Sequence, residues 1–152
     1  MYLIGLINFV IIKFFGNIQL VENRIEGILR QKEYFGISNF SIIPFKSISA
    51  SINTFINDPS FGIVTQFFVG NILIFVPLGF LLALLFNRNS FFKIMLTSLF
   101  IIIIIEFTQF VTNLGIADID DVILNMFGSF LGYLCFLTVE KLFSIKEKID
   151  NN

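Results

Sequence analysis

The sequence predicts an all-α, polytopic membrane protein with four transmembrane helices and a long loop between helices 1 and 2. Hydrophobic residues make up 56% of the 152 residues and charged residues only 14%, and long apolar runs recur along the chain. A soluble domain has about 25% charged residues, so this chain has too few charges to cover a surface exposed to water. The length predicts a single domain, residues 1–152.

Four segments are predicted to cross the bilayer. A helix of about 20 residues spans the hydrocarbon core, and the apolar runs 67–86, 91–111 and 122–143 have this length. The β-branched run 101–105 favours a strand in water, but a single strand in lipid leaves its backbone unpaired, so we expect a helix.

The first span is predicted at about residues 2–20, although its apolar stretch, residues 2–15, is short and contains Lys13. We expect the long side chain of Lys13 to reach the membrane interface. A signal peptide is the alternative, but the segment lacks basic residues before its apolar core and a small-residue cleavage site after it. A start codon placed too far downstream would also explain the short apolar stretch.

The segment between the first two spans, residues 21–66, is too long for a turn, so we expect an ordered re-entrant or interfacial loop, or a flexible one. Residues 22–32 predict one to two turns of amphipathic helix, in which Glu22 and Glu26 face Arg30. Residues 42–45 form an apolar patch with a rigid proline, which suits insertion into the membrane interface.

Charge on the short loops predicts the orientation. The loop between the second and third spans contains Arg88 and Lys93, and the C-terminal tail is also basic. In the loop between the third and fourth spans, all charged residues are aspartates. The positive-inside rule therefore places both termini in the cytoplasm and the acidic loop outside.

Polar side chains within the spans lie at one depth, near the outer ends of the helices. Charged and amide groups are costly in lipid, so each requires a partner or a function. We therefore expect an outward polar pocket, and the candidate ligand-binding residues are Asn71, Glu106, Gln109, Asp118, Asp120, Asp121 and Asn125. The alternative is a structural role, in which the amides bond helices together and the aspartates cap a helix N-terminus.

Small residues and a proline predict close helix packing. Gly128 and Gly132 form a GxxxG pattern on the face of Asn125, which allows another helix backbone to approach closely or a second copy to associate. Pro77 and Gly79 interrupt the second span, as is common in membrane helices.

Several classes of chemistry are excluded. The chain has no histidine and one cysteine, which removes zinc sites, Ser-His-Asp and Cys-His catalysis, and disulfide scaffolds. The net charge of −1 without a basic block argues against nucleic acid. We expect no cofactor; the only metal candidates are Asp118, Asp120 and Asp121, whose oxygen ligands would favour Mg²⁺ or Ca²⁺.

The polar and small residues also occur as an ordered set of motifs. The set is Asn71-Ile-Leu-Ile-Phe-Val-Pro77-Leu-Gly79-Phe, Glu106-Phe-Thr-Gln109, Asp118-Ile-Asp120-Asp121-Val-Ile-Leu-Asn125 and Gly128-Ser-Phe-Leu-Gly132-Tyr133. Together with Ile43-Pro44-Phe45-Lys46, it resembles the VanZ-like membrane protein family. The resemblance implies a bacterial plasma-membrane protein associated with reduced susceptibility to the glycopeptide teicoplanin. Many members carry an arginine shortly before the acidic stretch, where this chain has Gly115-Ile116-Ala117.

Three functions remain open. The favoured one is a non-enzymatic envelope protein whose polar pocket meets a lipid headgroup, a cell-wall precursor or a glycopeptide. The second is an intramembrane hydrolase or transferase with Glu106 as acid or base, although no established catalytic constellation is present. The third is a proton or ion pathway through Glu106. The expected partners are membrane lipid, a cell-wall precursor or glycopeptide and a second copy of the chain, but no nucleic acid.

Overall fold

The computed structural model describes Gly5 and residues 18–35, 40–57, 61–86, 90–115 and 117–150. Over these residues the protein is nearly all helical, in agreement with the all-α prediction. The elements are, in chain order, α1 (Ile18–Phe35), β1 (Phe40–Ser41), α2 (Lys46–Asn57), α3 (Phe61–Leu85), α4 (Phe91–Thr112), β2 (Ala117–Asp118) and α5 (Ile119–Asp150). The predicted first span lies outside the described residues, apart from Gly5 and the start of α1.

Helix α1 is longer than the one to two turns that the sequence predicts. Its 18 residues contain no proline, and the buried side chain of Ile28 adds packing that stabilises the helix. The predicted pairing at i, i+4 spacing is present between Glu26 and Arg30, whose side chains lie 3.3 Å apart at the exposed surface.

The segment between residues 36 and 60 contains a helix and a strand that the sequence analysis did not predict. Helix α2 occupies residues of the expected loop. Strand β1 pairs in parallel with β2, with Phe40 opposite Ala117 and Ser41 opposite Asp118. This pairing joins the expected loop to the residues just before α5.

The three apolar runs all form helices. Helix α4 matches its predicted span, whereas α3 begins earlier and α5 extends beyond both ends of the prediction. Among the described residues, α4 and the part Ile119–Ser144 of α5 are long and apolar enough to cross a bilayer, judged by length and composition. The part Gly70–Leu85 of α3 is a shorter apolar stretch. The number of four spans therefore stays a prediction.

The chain divides into two compact units. The first unit comprises residues 1–50 and 101–122, and the second comprises residues 51–100 and 123–152. Apolar side chains such as Ile28, Ile102 and Ile105 are buried in the first unit. Apolar periodicity predicts helices but carries no information on such a division.

In the second unit, α3 and α5 touch backbone to backbone through the predicted GxxxG pair. A Cβ atom at Gly128 would overlap the carbonyl oxygen of Ile72, and one at Gly132 would overlap that of Val76. The predicted close approach of a helix backbone to this face of α5 is therefore made by α3.

Gly79 brings the same two helices together from the side of α3. A Cβ atom at Gly79 would overlap the carbonyl oxygen of Ser129, and the Ser129 hydroxyl donates to the carbonyl oxygen of Phe75 at 3.5 Å. Pro77 lies within α3 with its side chain exposed. It has no N–H to donate to the carbonyl of Leu73, so the helix is weakened one turn from this contact.

Aromatic contacts complete the packing of the second unit. The ring of Phe91, at the start of α4, lies 5.3 Å from that of Tyr133 and 6.3 Å from that of Phe130. The rings of Phe80 and Phe136 meet edge to face at 5.9 Å. These distances are typical of stabilising aromatic pairs.

Candidate functional site

The carboxylate of Asp120, in the first turn of α5, is completely buried and accepts three backbone hydrogen bonds. Its Oδ1 accepts from the N–H of Phe45 at 2.5 Å, and its Oδ2 accepts from the N–H groups of Ser47 at 2.7 Å and Ile48 at 3.0 Å. Asp120 has a relative exposure of 0%. Burying an unpaired charge is costly, and these three bonds offset that cost.

The three donors are the free N–H groups where α2 begins. The first N–H groups of an α-helix have no partner within the helix, and the helix dipole makes this end positive. A carboxylate at this position forms charge-assisted hydrogen bonds, which are stronger than neutral ones. Asp120 therefore fixes the start of α2 beside the start of α5.

Asp118 connects the same two helix ends. Its Oδ1 accepts from the N–H of Asp120 at 3.0 Å, which makes Asp118 the N-cap of α5. Its Oδ2 accepts a short hydrogen bond from the hydroxyl of Ser47, in the first turn of α2. Two helix N-termini thus share one pair of acidic side chains.

Glu106 joins this group from α4. Its Oε2 accepts from the backbone N–H of Asp118 at 3.4 Å, and the residue is only 7% exposed. Ser47, Glu106, Asp118 and Asp120 form a connected set, which we call the acid network. The structure therefore brings together three of the residues that the sequence marks as ligand-binding candidates.

Two further candidates, Gln109 and Asp121, belong to the same unit as the acid network. Gln109 is 3% exposed, and its side chain lies against Gly115: a Cβ atom at Gly115 would be 3.0 Å from its Oε1. Gly115 therefore leaves the space that the Gln109 amide occupies. Asp121 is half-buried in the first turn of α5.

The remaining two candidates, Asn71 and Asn125, belong to the second unit. Asn71 is half-buried on α3. Asn125 on α5 is 1% exposed, and its Oδ1 has no hydrogen-bond partner in the part of the chain that the structure describes. The buried Oγ of Ser98 is likewise unpaired there. Unpaired buried acceptors are rare in folded proteins and require an explanation.

The acid network compensates its charge with backbone donors. Across the described ranges, neither Asp118 nor Asp120 takes part in an ion pair, and no three acidic or thiol side chains are grouped as metal ligands. All four carboxylate oxygens of Asp118 and Asp120 accept hydrogen bonds from protein groups. In this chain, which lacks the arginine expected before the acidic stretch, the N-terminus of α2 supplies the compensating positive potential.

Sequence reasoning did not mark Ser47, and it interpreted Phe45 only as part of the apolar patch 42–45 and of a motif. Phe45 has a φ of 63°, a left-handed conformation that is unusual for a bulky side chain. Its N–H donates to Asp120, so the strained residue is held at the junction of loop and helix. The apolar spacing of Ile48, Ile52 and Phe55 after a proline is a signal that would have predicted α2 and its first turn.

Comparison with known proteins supports the family resemblance that the motifs indicate. A family model described as VanZ/LLP1 matches residues 1–142. The chain is also similar to Protein VanZ of Enterococcus faecium, with 38% identity over 64 residues, which cover 42% of this chain and 40% of that protein. The match thus spans less than half of that relative's length. No solved structure matches the chain.

The family match includes Glu106, the acidic stretch and the glycines of α5, as well as the long segment before α3. The predicted resemblance to VanZ-like proteins is confirmed, and the chain belongs to the VanZ/LLP1 family.

Proposed function

We propose that this protein is a multi-pass protein of the bacterial plasma membrane that lowers susceptibility to glycopeptides such as teicoplanin without catalysing a reaction. The family match and the similarity to Protein VanZ support the link to glycopeptides. The observation that carries the non-catalytic role is the acid network, whose aspartate oxygens all accept hydrogen bonds from the protein's own groups. Carboxylates engaged in this way are suited to hold the starts of α2 and α5 in place.

In this proposal the acid network positions a polar pocket at the outer ends of α4 and α5. Glu106, Gln109 and Asp121 supply acceptors and an amide near the point where α5 begins. Glycopeptides and cell-wall precursors are rich in amide N–H groups, which such acceptors bind. Both chain termini then lie in the cytoplasm, as the basic short loops indicate.

A deletion strain tests this function directly. We expect deletion to increase teicoplanin susceptibility and to change the amount of fluorescent teicoplanin bound at the cell surface, with both restored by the full chain. Susceptibility to an antibiotic that acts inside the cell serves as the control and should not change. If neither teicoplanin measurement changes, the link to glycopeptides is wrong.

Burial of the Glu106 carboxyl group, at 7% exposure, supports a second candidate, an intramembrane hydrolase or transferase that acts on a lipid-linked substrate. Here Glu106 would be the acid or base, or the proton carrier of an ion pathway. Glu106→Gln keeps an oxygen that accepts from Asp118 but cannot transfer a proton. If this variant restores wild-type teicoplanin susceptibility to the deletion strain, both the acid–base and the proton-pathway functions are excluded. If the variant restores none of it at normal membrane abundance, these functions are favoured.

A further inference from the structure

Helix α2 has one apolar face that no described residue covers completely. Ile48, Ile52, Phe55 and Ile56 follow the i, i+4, i+7, i+8 spacing, which places them on one side of the helix. Ile52, Phe55 and Ile56 are 45%, 42% and 70% exposed, and α2 has no buried residue. The helix therefore presents an apolar stripe outward from Ile52 to Ile56.

The opposite side of α2 is polar but almost uncharged. Lys46 is the only charged residue of the helix, and the other polar residues are serine, asparagine and threonine. A surface that docked on a charged partner would need complementary charges, which α2 lacks. An apolar stripe with an uncharged polar side matches a helix that lies in the boundary between lipid headgroups and acyl chains.

The acid network holds the beginning of α2 next to the end of a helix that is long and apolar enough to cross a bilayer. Asp120, which binds the first turn of α2, is the second residue of α5, and the apolar part of α5 that is long enough to cross a bilayer begins at Ile119. The residues before α2 are also apolar and exposed: Ile42 at 73%, Ile43 at 60% and Phe45 at 61%. Chain segments at the end of a span meet the interface, where exposed apolar residues are stable.

From these observations we infer that α2 is an interfacial helix that inserts Ile52, Phe55 and Ile56 among the lipid acyl chains and binds them independently of lipid charge. The inference rests on the membrane location in the proposed function, but not on the glycopeptide link. It assigns lipid as the occupant of the apolar stripe, through hydrophobic contact rather than headgroup recognition.

Single-cysteine labelling of the full chain in vesicles tests this inference. The natural sequence has one cysteine, so Cys135→Ser provides the background. A polarity-sensitive fluorophore is attached at Ile52→Cys or Ile56→Cys on the apolar stripe, and at the neighbouring Asn53→Cys on the polar side as the matched control. We expect brominated acyl chains to quench the two stripe labels severalfold more strongly than the Asn53→Cys label. The contrast should be equal in phosphatidylcholine vesicles and in equal parts of phosphatidylcholine and phosphatidylglycerol.

Three results would overturn the inference, and a reference label separates its failure from that of the membrane location. In the first, brominated lipid quenches the stripe labels no more than the Asn53→Cys label. In the second, it quenches them only in vesicles that contain phosphatidylglycerol. In the third, the stripe labels are shielded from both brominated lipid and aqueous iodide, as a covering second copy would require. A label at Ile103→Cys, an exposed position on α4, reports whether the chain is in the bilayer at all. Quenching there without quenching at Ile52→Cys refutes only the interfacial helix, whereas no quenching at either position refutes the membrane location as well.

Discussion

Replacing Asp120 by asparagine removes the centre of the acid network with almost no change in side-chain volume. The asparagine amide keeps one oxygen and replaces the other by an NH₂ group, which is a donor. In the native site one carboxylate oxygen accepts from Phe45 and the other from Ser47 and Ile48. In either orientation of the amide, at least one of these part-buried N–H groups faces a donor and loses its hydrogen bond.

The cost of Asp120→Asn follows from the bonds that are lost. A hydrogen bond to a charged group contributes about 1.5 to 3 kcal/mol, and a buried donor left without a partner costs about 1 to 3 kcal/mol. We therefore expect the free energy of opening the start of α2 to fall by about 2 to 4 kcal/mol. Since about 1.4 kcal/mol corresponds to a tenfold change, amide hydrogen exchange there should accelerate by about 30- to 700-fold.

Hydrogen-exchange mass spectrometry on peptides that contain residues 45–48 measures this acceleration. Glu26→Gln is the control, because it also neutralises an acid but removes only the exposed pair with Arg30. An exposed pair of this kind contributes about 0.3 to 0.5 kcal/mol, so exchange at residues 45–48 should stay unchanged. If Asp120→Asn alters that exchange by less than about twofold, the carboxylate does not hold the start of α2.

Two further predictions concern the backbone. Gly132→Ala places a methyl group against the carbonyl of Val76 and should destabilise the protein by at least about 1 to 3 kcal/mol, seen as a lower thermal midpoint in detergent. The control Gly70→Ala meets no atom within 4 Å and should be neutral or slightly stabilising; equal effects of the two substitutions would contradict the close contact of α3 and α5. Asn113 has a φ of 53°, a left-handed conformation. Asn113→Val should therefore lower the stability of the protein by about 1 to 2 kcal/mol more than Asn113→Gly in the same assay. A valine variant as stable as the glycine variant would refute the left-handed conformation.

Local patterns in the sequence predict part of this structure well. Helix α4 agrees with its predicted span because a continuous apolar run ends in polar residues on both sides. The pair of Glu26 and Arg30 follows from helical spacing alone. The short loop between α4 and β2 also brings the N–H of Asp118 to the carboxylate of Glu106.

The rest depends on contacts between distant parts of the chain. Asp120 binds residues that precede it by more than 70 positions, and no periodicity in the sequence encodes such a partner. For the same reason the strand pair between Phe40 and Ala117 was not predicted. Phe45 adopts its left-handed conformation because its surroundings hold it there, against the preference of the residue itself.

Whether the acid network underlies the function is tested by complementing the deletion strain with Asp120→Asn. The variant is expressed at the same membrane abundance as the wild type, and teicoplanin susceptibility is measured. We expect Asp120→Asn to leave the strain as susceptible to teicoplanin as the deletion, whereas Glu26→Gln should restore wild-type susceptibility. Full restoration by Asp120→Asn, with accelerated exchange at residues 45–48 confirmed in the same variant, would contradict the claim that this network builds the functional site.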